Sequence, residues 1–359
     1  MLALTDSRSS LRSVAAIIFL NHRTSEGGWK KMTVVFRGPE TGSDLGIDEL
    51  TFDRTVPRGL VHRAAVGEVF VTDAAAIGEN RFKVAAQLPR GHALYGDRIQ
   101  PLYDPLMVLE ATRQAAILLT HQFYGVPRNW AFIFRKADLA ITDPVAMTVV
   151  DLPGHLLIQI DMDKRFYADG KLTGTHIICR FELDGRAFGT LIGSLSFTPP
   201  EFFAVMRAAG RAGKELPPLA EPNRATPIDP QRVGRFNRRN VVIAATGDRE
   251  LFELIVDHSH PSLCDHKVDH VSGMLLTEGC RQAAVSFAAQ SALAGIAVDQ
   301  LELLRFQVDF RDFAELELPV YCRMTRCAAM GSGRVAVDFD LEQGGRTIAG
   351  AQAEVGSWM

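Results

Sequence analysis

"EATRQAA", residues 110–116, and "EGCRQAA", residues 278–284, agree at five of seven positions and keep Glu, Arg and Gln in the same order. The three polar residues stand at i, i+3 and i+4, the spacing of neighbours on one helix face. A shift of 168 positions carries the first phrase onto the second. Without a gap, it also carries His92 onto His260, Asp97 onto Asp265, Asp104 onto Ser272 and Pro105 onto Gly273. Asp and Ser both cap helix N-termini by accepting an orphan N–H, and Pro is favoured just inside. Each copy therefore starts a helix at the same place. From those caps, "DPLMVLEATRQAAILLTHQF" (104–123) and "SGMLLTEGCRQAAVSFAAQ" (272–290) are mostly apolar along their length, the mark of a buried helix.

Strand patterns follow each helix. "LRFQVDF" (304–310) alternates with period two, as do parts of "PVYCRMTR" and "RVAVDFDLE". In the first half, "HLLIQIDM" (155–162) and "HIICRFEL" (176–183) read the same way. "LDGR" (183–186) and "QGGR" (343–346) supply hairpin turns, because Asp-Gly and Gly-Gly accept the positive φ the bend needs. Gly185 matches Gly345 only at an offset of 160, so the second copy is shorter between helix and turn. Each half reads as a strand, a loop, one long buried helix and three or four antiparallel strands. The fold class is α+β, two tandem copies of an antiparallel sheet wrapped on a central helix.

Residues 1–49 read as an N-terminal extension, with Met32 as an alternative start. The two repeats are assigned to 50–206 and 239–359. The join, 207–238, falls in "AAGRAGKELPPLAEPNRATPIDPQRVGRFNRRN" (208–240), rich in Pro, Gly and Arg and read as a solvated linker. Its "RVGRFNRRN" (232–240) has a second reading, a docking surface for an acidic carrier protein or a phosphate. The net charge of −3 argues against non-specific nucleic-acid binding. The apolar run "VAAIIFL" (14–20) is too short to span a membrane. Five cysteines without CxxC spacing fit neither a disulfide framework nor a zinc site, and point to a reducing cytoplasm.

The charged phrases carry the functional reading. An exposed Glu–Arg pair is worth a few tenths of a kcal/mol, yet the flanking residues here are apolar and the phrase occurs twice. A buried pair needs a reason, since an unpaired charge in a core costs several kcal/mol. His92 and His260 each lie 18 residues before their Glu. They are either structural or part of the site, where their titration range would be useful.

A Gly/Pro-rich loop, a helix start and then LxxEAxxQ is the pattern of hotdog-fold acyl-thioester enzymes such as the β-hydroxyacyl-carrier-protein dehydratases, and "HVSGMLLTEGCRQAA" (270–284) resembles it. More specifically, "FDRTVPRGLVHRAAVGEVFVTD" (52–73), "LPRGHALYGD" (88–97) and "YDPLMVLEATRQAAILLTHQFYGVP" (103–127) resemble the A-factor biosynthesis family, from about residue 50 onward. These are double-hotdog enzymes of γ-butyrolactone, butenolide and furan signal synthesis. The resemblance implies transfer of a β-ketoacyl group from a carrier-protein or coenzyme A thioester to a hydroxyl of dihydroxyacetone phosphate. The ester then cyclises to a phosphorylated butenolide, with no metal or redox cofactor. It implies a monomer with an internal pseudo-dimer, or a homodimer.

Carried onto this chain, the resemblance makes Glu278 and Arg281 the working acid and its partner, with Glu110 and Arg113 their first-half equivalents. Gln282, Gln114, His260, His92, Ser272 and Gly273 become substrate-binding candidates. Gly279 and the Arg three positions after each Glu depart from the simple dehydratase pattern, and the Arg points to an anionic substrate. On this reading Glu278, its pKa raised by an apolar wall, deprotonates the attacking hydroxyl. Amides near Ser272 and Gly273 polarise the thioester carbonyl, and Arg281 holds a phosphate or carboxylate. Glu278→Gln should then abolish activity and Glu110→Gln should cost less. A hotdog dehydratase or thioesterase, and a non-catalytic acyl-binding protein, are the alternatives.

Overall fold

The computed structural model describes residues 14–23, 29–37, 50–218, 225–290 and 296–359; for 14–37 the main-chain path alone is described. Residues 1–49 are one unit, in which β1 (Val14–Arg23) and β2 (Trp29–Arg37) pair antiparallel. The run "VAAIIFL" falls in β1. Among the described residues no helix is long and apolar enough to cross a membrane.

The second unit, Leu50–Met359, is built twice to one plan. The first copy runs β3 (Val71–Gly78), β4 (Arg81–Leu88), α1 (Pro105–Tyr124), β5 (Ala131–Ile141), β6 (Gly154–Ala168), β7 (Lys171–Leu183) and β8 (Arg186–Thr198). A short helix, α2 (Pro200–Arg211), follows. The second copy runs β9 (Ile243–Ala245), β10 (Leu251–Leu254), α3 (Gly273–Gln290), β11 (Leu301–Phe310), β12 (Tyr321–Gly331), β13 (Arg334–Gln343) and β14 (Arg346–Ser357). The strands form one antiparallel sheet in the order β3-β4-β6-β7-β8-β5-β11-β14-β13-β12-β10-β9. Read from either edge to the middle, the order is the same, so the copies meet at β5 and β11 about a pseudo-twofold axis. Each half is a hotdog, with its sheet wrapped on its own helix.

The local chemistry explains the start and end of α1. Asp104 Oδ1 accepts the Leu106 amide at 2.9 Å, Pro105 takes the first position, and Gly125 closes the end at φ 64°. In α3, Ser272 Oγ accepts the Leu275 amide at 3.2 Å. Both helices are buried over most of their length because the sheet covers them. Gly279 replaces the Ala111 of the first copy for a steric reason: a Cβ there would lie 2.5 Å from Leu254 Cδ2. The expected hairpins form at Asp184–Gly185 and Gly344–Gly345, all four residues at positive φ.

The segment assigned as a solvated linker differs from that reading. Position 206 falls inside α2, whose Arg207 and Arg211 bind the buried Glu315 of the second copy at 2.7 and 2.5 Å. Farther on, Ile228 donates its amide to the Ile243 carbonyl, as Val56 does to Val71. Arg235 is fully buried. The stretch from 227 is thus the opening of the second hotdog. Its arginine-rich phrase resembled a tether because a buried salt bridge and a solvated one use the same residues. Residues 219–224 of that expected linker lie outside the described residues.

Candidate active site

The repeated polar phrase folds into two buried centres. In the first, Arg113 Nε and Nη2 donate to the two oxygens of Glu110, each at 2.8 Å. Arg63 joins from the other side, Nε to Oε1 at 3.0 Å. Gln114 Nε2 donates to the same oxygen at 2.7 Å and to the Glu68 carbonyl at 2.8 Å, while its own oxygen accepts the Phe70 amide. In the second, Arg281 binds Glu278 at 2.8 and 2.7 Å, and Arg235 Nη2 binds it at 2.8 Å. Gln282 reaches Glu278 and the Asn240 carbonyl and accepts the Val242 amide. Two arginines and a glutamine thus hold each carboxylate.

Arg235, Asn240 and Val242 are the counterparts of Arg63, Glu68 and Phe70 under a shift of 172, not 168. Each Arg-bearing loop is tied down by the opposite half. Asp265 accepts the amides of Ala64 and Ala65 at 2.7 and 2.9 Å, and Asp97 accepts those of Phe236 and Asn237, each at 3.0 Å. The matched histidines brace the next turn. His92 Nδ1 accepts the Leu94 and Tyr95 amides, and His260 Nδ1 those of Ser262 and Leu263. Their Nε2 atoms face Glu68 at 3.3 Å and Asn240 at 3.0 Å.

Burial alone would raise the pKa of Glu278, as the sequence led us to expect. The Arg235 and Arg281 guanidiniums overcome it and hold the group at about 2. Glu110 is likewise pushed up by burial and pulled down to about 2 by Arg113 and Arg63. At neutral pH both are ionised, with their oxygens already committed to the arginine and glutamine donors. Both pKa values lie below the ordinary 4.5, so their stabilising effect is complete above about pH 4.5 and lost as pH falls toward 2. Acid titration followed by circular dichroism should place unfolding in that window; native signal persisting below pH 2 would contradict it.

The centres differ in what surrounds them. A cavity of about 500 Å³ opens beside the first. Arg63, Arg113 and His62 line one side, the start of α3 at Ser272–Gly273 another, and Phe132, Phe134 and Phe310 form apolar walls. Gly273 and Met274 are in the first turn of α3, where amides have no intrahelical acceptor. The Arg113 side chain is 18 % exposed, that of its counterpart Arg281 only 4 %.

Under the repeat, His266 and Ser272 of the cavity correspond to Arg98 and Asp104. Ile133, also on the cavity wall, corresponds to Glu302 at an offset of 169, because the matching bulges of β5 and β11 lie at 135 and 304. The three counterparts are buried and joined to one another: Arg98 pairs with Glu302 and lies 3.6 Å from Asp104, and Asp104 also binds Arg235 at 3.0 Å. A charged plug occupies the second position, and the start of α1 faces a carboxylate. Of the residues singled out from sequence, Arg113, Ser272 and Gly273 line the cavity. Glu110, Gln114 and His92 support that side from behind, and Glu278, Arg281, Gln282 and His260 belong to the plugged centre. Arg63, Arg235 and the plug went unseen, because their partners are distant in sequence. Among the described residues no group of three or more His, Cys, Asp or Glu is placed to hold a metal ion.

The A-factor biosynthesis hotdog domain matches twice, over residues 48–199 and 219–356. The chain belongs to that family. Family relatives include a 2-oxo-3-(phosphooxy)propyl 3-oxoalkanoate synthase of Streptomyces virginiae, 32% identical over 294 residues, 82% of this chain and 95% of the relative. The synthase of the same name from Streptomyces coelicolor is 31% identical, over 64% of this chain and 71% of its own. Among solved structures, a putative oleoyl thioesterase from Lactobacillus plantarum aligns over 78% of this chain and 98% of its own at 10% identity, with a TM-score of 0.44. A score this low leaves the double-hotdog assignment to the strand order and the family match.

Proposed function

We propose that this chain is an acyltransferase that moves a 3-oxoacyl group from a carrier-protein or coenzyme A thioester to dihydroxyacetone phosphate, and that it does so in the cytoplasm. The resulting ester can cyclise to a phosphorylated butenolide. The observation that carries this reading is the cavity between Arg63–Arg113 and the start of α3. Two guanidiniums, already oriented by Glu110, offer a bidentate grip on a phosphate. The α3 amides present partial positive charge to the thioester oxygen as it becomes an oxyanion. The phenylalanine walls take the acyl chain. The relatives' printed name, an ester of a phosphorylated hydroxyketone with a 3-oxo acid, fits that division of the cavity.

The decisive assay incubates the purified chain with a 3-oxoacyl thioester and dihydroxyacetone phosphate and identifies products by mass spectrometry. A phosphorylated ester is expected. Free acid or an enoyl thioester would make it a thioesterase or dehydratase, and binding without turnover a non-catalytic acyl-binding protein. Ser272→Asp, which copies the plugged half into the open one, should keep the helix cap. It should cost about 10²-fold in kcat by placing a negative charge where the oxyanion forms; an unchanged rate would remove the α3 amides from the reaction.

A further inference from the structure

Five non-glycine residues among those described have positive φ, and four of them, Asn80, Asp169, Asp184 and Ser332, sit in hairpin turns. The fifth is His62, at φ 54°, on the wall of the open cavity. Its counterpart under the shift of 172 is Gly234, at φ 74°. The same backbone conformation is therefore made twice, once with the residue that suits it and once with a residue that must accept steric strain. Strain of this kind persists where the side chain has a use.

The surroundings show that use. His62 Nε2 lies 3.0 Å from His121 Nε2, and His121 Nδ1 lies 2.7 Å from the Val126 carbonyl. A carbonyl only accepts, so His121 carries its proton on Nδ1 and offers a lone pair at Nε2. His62 fills that with its Nε2–H, which leaves the His62 lone pair on Nδ1. Phe132 fixes both rings by edge contacts, at 4.9 Å to His62 and 5.1 Å to His121. The pair exists in one half alone, since the shift of 168 carries His121 onto Ala289.

We propose that His62 is the general base of the open cavity. This rests on the acyl-transfer reading above. The O–H bond of the attacking hydroxyl breaks and its proton goes to His62 Nδ1, while the oxygen pair forms the bond to the thioester carbonyl carbon. When the tetrahedral oxyanion collapses, the C–S bond breaks and the leaving thiolate takes that proton back. No proton or electron is left over. His121 is a positioning residue, fixing the tautomer.

The groups facing the His62 ring are His121, Arg113, His266 and the Arg128 main chain. Burial, His121, Arg113 and His266 lower its pKa to about 4 against a main-chain hydrogen bond at Arg128 that raises it, so the ring is neutral at neutral pH. The other histidines of the cavity are paired with carboxylates, His266 with Asp265 at 3.4 Å and His270 with Asp269 at 2.7 Å. Glu110 is held by its arginines.

The test is His62→Gly, which installs the residue found at 234 and so relieves the backbone. Expected are an unchanged or higher Tm, a KM for dihydroxyacetone phosphate within about threefold of wild type, and a kcat lower by about 10²–10⁴-fold. Added imidazole should restore part of the lost rate. A kcat near wild type overturns the assignment, as does a loss with lowered Tm and no imidazole rescue, which would mark a structural role. If the wild-type chain forms the ester and the variant matches it, the base assignment alone fails. If the wild-type chain forms no ester, both readings fail.

Discussion

Glu278→Gln is expected to destabilise the protein by about 3–5 kcal/mol, the range for removing one partner of a buried ion pair. Glu278 is the shared countercharge of Arg235 and Arg281, and all three side chains are buried. Glutamine preserves the shape and part of the hydrogen bonding but leaves two guanidiniums with Asp104 as their nearest remaining countercharge. Denaturant unfolding should show a lower midpoint. The folded variant should still turn over within a few-fold of wild type, because the plugged centre does not line the cavity. This reverses the ranking read from sequence, in which Glu278 was the working acid. Abolished turnover in a variant of normal stability would restore that ranking.

Glu110→Gln should have the opposite profile. Its arginines are the cavity wall, and Glu110 sets their direction through paired contacts to both oxygens. Losing that anchor lets Arg113, already partly exposed, swing away from the phosphate position we propose. A misplacement of about 1 Å costs on the order of 10²-fold, and we expect a loss of that size in kcat/KM with dihydroxyacetone phosphate as the varied substrate. The stability loss should be smaller than for Glu278→Gln, because water can reach Arg113. Steady-state kinetics on both variants decides the matter; a Glu110→Gln enzyme with normal kcat/KM would take the arginine pair out of substrate binding.

The sequence disclosed the parts of the fold that rest on local rules. The caps at Asp104 and Ser272, the apolar helices and the Asp-Gly and Gly-Gly turns each follow from nearby residues. The 168 register holds unbroken from His92 through the central helix, which is why the matched histidines and Asp97–Asp265 could be aligned; in β5 and β11 it becomes 169, as their bulges at 135 and 304 show. Before His92 the register is 172. The β9–β10 strands are shorter than β3–β4, and the second copy loses four residues there. That hid the equivalence of Arg63 with Arg235 and of His62 with Gly234. Which half is open was hidden for a different reason. It depends on Arg98, Asp104 and Glu302 meeting in space, and no local pattern announces one arginine gathered between two distant carboxylates.

The unbroken sheet through β5 and β11 has a consequence for how such an enzyme can change. In a homodimer of single hotdogs every substitution lands in both clefts at once, so a residue that anchors the fold in one must also obstruct chemistry in the other. Covalent fusion lifts that constraint. A glycine can stand opposite a histidine and an aspartate opposite a serine, leaving one cleft to carry cohesion and its twin to carry turnover.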